Sequence, residues 1–299
     1  MKIYLTGGTG FIGSYIAKEL SDAGHDIVIL ARNPDKVPAL ADLLGVKIVH
    51  TDMNDYAALE REITGGDALI HNALCWGDTG SEMLVNETLA SLRLIECAIR
   101  RNIPRVLYTS STAATGYSHR VTDENSRLIP EDFYGATKGA VELFISAYAK
   151  KNPPIAFNVI RPGYTFGDPV VEGGSMEGDS RFRDIVHAAK EGRAIELVKN
   201  DGTQFIWAGD LARLFRIVIE SDVRGELYFG LGSKFVRWSE IAERVIEKTG
   251  SGSELLLRDI GYPDEPSLFD VSKINRVFGL HYDPLAKIDE HVQYLMDLT

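Results

Sequence analysis

The stretch "YLTGGTGFIGSYIAKEL" (residues 4–20) restricts this chain's fold more than any other. A short apolar strand runs into Gly7, Gly10 and Gly13 and then into an amphipathic helix. Backbone amides at a helix N-terminus approach a pyrophosphate closely only where no Cβ stands in the way. The third glycine lets the helix pack tightly on a sheet. Set between a strand and a helix, the triplet predicts a dinucleotide site, with Thr9, Phe11 and Ile12 in the same turn.

The rest of the first half agrees with that turn. Apolar, β-branched runs at 2–5, 26–31, 46–50, 67–71, 105–110 and 155–160 read as strands covered on both faces. Helical patterns fall between them, near 11–23, 34–44, 55–63, 82–101 and 134–151. Strictly alternating strands and helices imply right-handed crossovers and a doubly wound parallel α/β sheet. After residue 162 the alternation stops. The glycine-rich, acidic "GDPVVEGGSMEGDS" (167–180) reads as a loop or flap, followed by helices near 181–191, 209–221, 238–249 and 284–297 and short strands near 195–198 and 226–230. The expected division is a dinucleotide-binding domain at 1–163 and a smaller mixed substrate lobe at 164–299. Some later segments are expected to return to the first domain.

Composition narrows the partners. A net charge of -11 argues against nucleic acid or an anionic membrane as the main partner and leaves small molecules. No run reaches the roughly 18 apolar residues of a membrane span. The start of the chain does not read as a signal peptide. Cys75 and Cys97 are too few for a disulfide framework. A cytoplasmic protein is expected, and no metal site is read from the sequence.

The second strand ends "ILARNP", with Ala31 and Arg32 where an acidic side chain would bond the ribose hydroxyls of NAD. A carboxylate repels a 2′-phosphate, whereas a guanidinium bonds it bidentately. NADP is therefore favoured over NAD.

Two further motifs follow in order: "TSS" at 109–111 and "YGATK" at 134–138. With the glycine loop, they make the chain resemble the extended short-chain dehydrogenase/reductases, the superfamily of NAD-dependent nucleotide-sugar epimerases and dehydratases. The resemblance runs nearly end to end, through "TDM" (51–53), "IHNA" (70–73), "IRPG" (160–163), "GDLAR" (209–213) and "FDVSKINRVFGL" (269–280). It implies a Rossmann sheet and a catalytic trio of Ser111, Tyr134 and Lys138, with Ser110 and Thr112 as rivals for the serine's role. It also implies that Asp52 and Met53 flank the adenine, that Asn72 and Ala73 pass the phosphates and ribose, and that Pro162 skirts the nicotinamide. Tyr134 and Lys138 would touch the cofactor as well. Trp76, Thr112 and Tyr164 are substrate candidates, and a homodimer through the helices at 82–101 and 134–151 is expected.

The spacing of Tyr134 and Lys138 suits proton transfer. Residues four apart share a helix face. A phenol titrates near pH 10, too high for a base at neutrality. An ammonium about 4 Å away is worth about 4 kcal/mol at an effective dielectric of about 20. That is roughly three pH units in favour of the phenolate. The plainer alternative is a solvated Lys138 paired with Glu142. Ser111 would hydrogen-bond the reacting oxygen as charge develops on it.

The expected function is NAD(P)-dependent hydride transfer at a carbinol or ketone of a sugar nucleotide or related compound. Thr112 and Ala113 stand where dehydratases of the family carry an Asp-Glu pair, which argues against 4,6-dehydration. No arginine lies between Asn200 and Asp210, where the family often clamps a diphosphate, leaving Arg181, Arg183 and Lys199 as substitutes. Two alternatives remain: an NADPH-dependent carbonyl reductase for non-nucleotide substrates, and a non-catalytic dinucleotide sensor.

Overall fold

The structure is a computed structural model that describes residues 1–116 and 120–298. Seven strands form its main sheet: β1 (Lys2–Thr6), β2 (Asp26–Ala31), β3 (Val46–His50), β4 (Ala68–His71), β5 (Arg105–Thr109), β6 (Ala156–Pro162) and β7 (Leu227–Gly230). Their order across the sheet is β7-β6-β5-β4-β1-β2-β3, with every neighbouring pair parallel. The order reverses between β1 and β4. In a sheet of this kind, ligands bind outside the carboxyl ends of the strands at that reversal.

Both faces are covered, which explains the continuous apolar runs. One core layer joins Ile3, Leu5, Ile27 and Ile29 to Ile16 and Leu20 of the first helix and to Leu211, Phe215 and Val218 of the helix Ala208–Glu220. The opposite layer joins Tyr4, Leu69, Val106 and Tyr108 to Leu94, Ile95, Val141 and Ile145. A third cluster lies in the later part of the chain. Phe166, Phe182, Phe205 and Trp238 meet there, mostly edge to face, beneath the helix Leu285–Leu298. Among the described residues, no helix is long and apolar enough to cross a membrane.

Two helical expectations are corrected. Residues 34–44 do not form an α-helix but two 3₁₀ stretches, Pro34–Lys36 and Pro38–Asp42. Each begins at a proline, which has no N–H to donate, and Asn33 caps the first through the Asp35 N–H. The segment expected as one helix at 82–101 changes form along its length. It is α-helical at Gly80–Met83, π-helical at Leu84–Leu89 and α-helical again at Ala90–Arg100.

Candidate active site

A cleft of about 500 Å³ opens at the sheet's reversal point. Gly7, Thr9, Gly10, Phe11 and Ile12 form one wall, Ala31, Arg32, Asn33 and Lys36 its far end, and Ser111, Tyr134, Lys138 and Pro162 the other. Helix Phe11–Asp22 opens at Gly10 with no side-chain cap, so its first-turn N–H groups are left for a ligand. Gly7 has φ +71°, and a Cβ there would stand 2.7 Å from the Ala73 nitrogen. The glycine turn and the loop after β4 therefore approach as closely as backbones can. The uncapped helix N-terminus beside this turn fits a dinucleotide pyrophosphate.

The loop after β4 is fixed from beneath. The Thr6 hydroxyl oxygen accepts from the N–H groups of Asn72 (3.2 Å) and Ala73 (3.1 Å). Both its lone pairs are then used, so its hydrogen goes to His71 Nδ1 at 2.9 Å, and His71 Nε2–H donates to Ser91 Oγ at 2.8 Å. Burial, with Lys138 nearby, pushes His71 down to about 3, so the ring is neutral.

Asp132 caps the helix Phe133–Lys151, accepting from the Gly135 N–H at 2.7 Å. Gly135 lets that helix touch the loop after β5, since a Cβ there would lie 2.2 Å from the Ala113 oxygen. The contact joins the elements that carry Tyr134, Lys138 and Ser111, and all three residues line the cleft. Lys138 is only 3% exposed, which removes the solvated alternative. Its ammonium lies 5.7 Å from the Tyr134 ring centroid and 5.1 Å from that of Tyr108. It does not pair with Glu142. Its partner is Glu87, at 2.8 Å and fully buried. Burial opposes the charge on Lys138, but Tyr108, Glu87 and Tyr134 outweigh it and hold the ammonium above the usual lysine range.

Glu142 instead takes Arg161 bidentately, at 2.8 and 2.6 Å, and accepts the Ser110 hydroxyl. The two neighbouring serines thus differ: Ser110 is committed to a buried carboxylate, whereas Ser111 Oγ accepts from the Ala113 N–H at 3.1 Å. Thr112 is buried and does not line the cleft.

Other residues expected at the site are placed differently. Met53, Asn72 and Ala73 line the cleft, but Asp52 does not, and its carboxylate closes a local turn on the Asn54 N–H at 2.8 Å. Gly13 lies behind the glycine turn, where a Cβ would sit 2.0 Å from the Gly7 oxygen, so it serves packing. Tyr164 is drawn into the aromatic cluster, 4.9 Å from Phe205 and 5.4 Å from Trp238, and burial pushes its hydroxyl above the ordinary phenol range. Trp76 is 63% exposed and its ring lies 6.0 Å from that of Tyr134, tilted by 30°. Arg181 is held by Asp179 at 2.6 Å and Asp201 at 3.2 Å and lies over Trp238, and Lys199 pairs with Asp259.

Glu87, Cys75 and Lys36 were missed from the sequence. Glu87 had left a signal: it occupies the buried stripe Met83–Glu87–Ala90–Leu94 of an amphipathic segment, where a charged residue needs a partner.

A parallel sheet in the order 3-2-1-4-5-6-7, with a glycine-cradled cleft at its reversal, defines a Rossmann-type dinucleotide-binding protein. Residues 3–229 match the model of the NAD dependent epimerase/dehydratase family, and the chain belongs to that family of enzymes. It is 26% identical over 257 residues to an uncharacterized protein of Saccharomyces cerevisiae, covering 82% of this chain and 79% of that one. It is 32% identical over 179 residues to the 2-alkyl-3-oxoalkanoate reductase of Stenotrophomonas maltophilia, covering 56% of this chain and 52% of the reductase. Among solved structures, the UDP-glucuronic acid 4-epimerase of Bacillus cereus in complex with NAD superposes with a TM-score of 0.83 at 18% identity, covering 100% of this chain and 97% of the epimerase.

Proposed function

We propose that this protein transfers hydride between a bound nicotinamide dinucleotide and a carbinol or ketone carbon, with Ser111, Tyr134 and Lys138 as the proton-transfer group. One observation carries the reading: the three residues line the same cleft as the glycine turn although they come from two different elements. The bound dinucleotide supplies or accepts the hydride. Tyr134 Oη gives or takes the proton of the substrate oxygen, Ser111 Oγ–H donates to that oxygen as charge develops, and Lys138 binds the nicotinamide ribose. Gly7, Thr9, Gly10, Phe11 and Ile12 hold the pyrophosphate, Met53 packs on the adenine, and Trp76 forms the outer wall of the substrate site.

NADP is the favoured cofactor within this NAD-dependent family. Support comes from Arg32 and Lys36, two cations lining the cleft just past the end of β2.

A sugar nucleotide or related hydroxy/keto compound is the substrate class, as the family suggests. The second reading, a carbonyl reductase for non-nucleotide substrates, is favoured by the ion pairs that engage Arg181 and Lys199, two of the cations considered for a diphosphate. Incubation with NADPH and a panel of ketones, aldehydes, UDP-sugars and dTDP-sugars tests both. Turnover of a sugar nucleotide supports the first, reduction confined to simple carbonyls supports the second, and turnover of none overturns the enzyme reading.

A homodimer is proposed through the exposed Leu84, Leu89, Leu143 and Phe144 of the two helices flanking the cleft. The buried, unbridged cysteines suit the cytoplasmic expectation.

A further inference from the structure

We propose that Glu87 is a positioning residue of the proton-transfer centre, holding the Lys138 ammonium as its buried counter-charge so that Tyr134 meets a carbonyl oxygen as a proton donor and the site is set for reduction. The inference rests on the roles given above to Tyr134 and Lys138.

The geometry is specific. Glu87 lies in the π-helical Leu84–Leu89 stretch, which packs against the helix bearing Lys138, and is 0% exposed. One carboxylate oxygen takes the Lys138 ammonium at 2.8 Å, and the other accepts the Cys75 N–H at 2.8 Å. A single side chain therefore ties the lysine to the loop after β4, which lines the dinucleotide cleft.

A buried ammonium requires an anion nearby. The other ionisable groups around it are His71 on β4, Cys75 after it, Tyr108 on β5 and Tyr134 on its own helix. His71 is neutral, and burial raises both the Cys75 thiol and the Tyr108 phenol. Among the described residues, Glu87 is the acidic group in direct contact with the ammonium, whereas the Tyr134 ring centroid lies 5.7 Å away. The counter-charge is therefore assigned to Glu87 by that contact, which leaves the Tyr134 hydroxyl to act as the proton donor. At a ketone accepting hydride from NADPH, the Tyr134 O–H bond breaks as the carbonyl oxygen gains its proton. Solvent then restores the phenol.

Titration of tyrosinate absorbance in the NADP⁺-loaded protein tests this without turnover. Subtracting Tyr134→Phe from the wild type isolates one tyrosine of twelve. The wild-type phenol is expected to remain protonated at neutral pH. In Glu87→Gln, the Tyr134 phenol takes over as counter-charge, and its midpoint falls by about one pH unit or more, a tenfold rise in phenolate. Glu87→Asp, which keeps the carboxylate, retains the wild-type midpoint. An unmoved or raised midpoint in Glu87→Gln overturns the proposal. If that variant does not fold, a tyrosinate already present at neutral pH in the wild type overturns it instead. Reduction of a small dicarbonyl with NADPH separates the two layers. Equal rates for wild type and Tyr134→Phe sink the parent reading, whereas loss of rate with an unmoved Glu87→Gln midpoint sinks the role of Glu87 alone.

Discussion

Lys138 and Glu87 meet at 2.8 Å with side-chain exposures of 4% and 0%, so each charge is stranded if the other is removed. Truncating one partner of such a pair costs about 3–5 kcal/mol, whereas replacing both with apolar residues is often neutral. Lys138→Met is expected to lower stability by roughly that amount, and adding Glu87→Leu to restore most of it. Urea unfolding of the two single variants and the double variant measures the coupling. Additive losses would show that the pair carries none.

Tyr134→Phe removes one hydroxyl from the cleft and leaves the glycine turn untouched. Turnover is expected to fall by about 10²–10⁴-fold, the usual contribution of a general acid–base group. Dinucleotide affinity, followed by fluorescence titration, should stay within about twofold. A variant as active as the wild type would remove Tyr134 from the chemistry.

Arg32 lines the end of the cleft beyond β2. Arg32→Glu places a carboxylate where a 2′-phosphate would lie, and NADPH affinity should drop at least about tenfold, equivalent to about 1.4 kcal/mol, with NADH less affected. Separate dissociation constants for the two cofactors decide it. Wild-type binding already tighter for NADH would end the NADP assignment.

His71 makes the protein sensitive to acid. Its folded-state value is depressed to about 3 by burial and Lys138, while the unfolded chain titrates near the ordinary histidine value. The unfolded state therefore binds the extra proton as pH drops below about 6.5, and stability declines by up to about 1.4 kcal/mol per pH unit until about pH 3. Thermal melts across this range should show a steep acid slope that His71→Gln flattens. Equal slopes would refute the linkage.

The flap behaves in the opposite sense. His291 is buried, with Nδ1 2.5 Å from Asp168 and Nε2 3.2 Å from Glu177, both on the 167–180 segment. Burial opposes its charge, and the two carboxylates outweigh that, so its value is raised. A raised histidine contributes fully below its unfolded value of about 6.5 and loses its contribution as pH climbs through the folded value. Limited proteolysis should cut residues 167–180 faster on the alkaline side, and His291→Asn should be cut fast at every pH. Cleavage indifferent to both changes would dismiss this role for His291.

These relationships divide by how local they are. The strands and the glycine turn were legible because a period of two, a β-branched run and a Cβ-free turn are written in adjacent residues. The helix expected at 34–44 failed for a local reason as well, since Pro34 and Pro38 interrupt its hydrogen bonding. The partner of Lys138 was not legible. Glu142 lies one turn away and Glu87 lies 51 residues away, and only the folded sheet shows that Glu142 is committed to Arg161. Tyr164 was misplaced for a similar reason. A tyrosine after "IRPG" has the same local pattern whether it faces a ligand or Phe205 and Trp238.

The π-helical turn at Leu84–Leu89 has a consequence for how this site can vary. Such a turn houses one residue more than an α-helix would over the same rise, and it sets the angular position of everything on it. Losing a single amino acid there would let the backbone relax into ordinary winding and swing Glu87 by about 100° out of reach of the lysine. One codon's deletion would then disconnect the acid from the cation while leaving helix, sheet and nucleotide cradle in place.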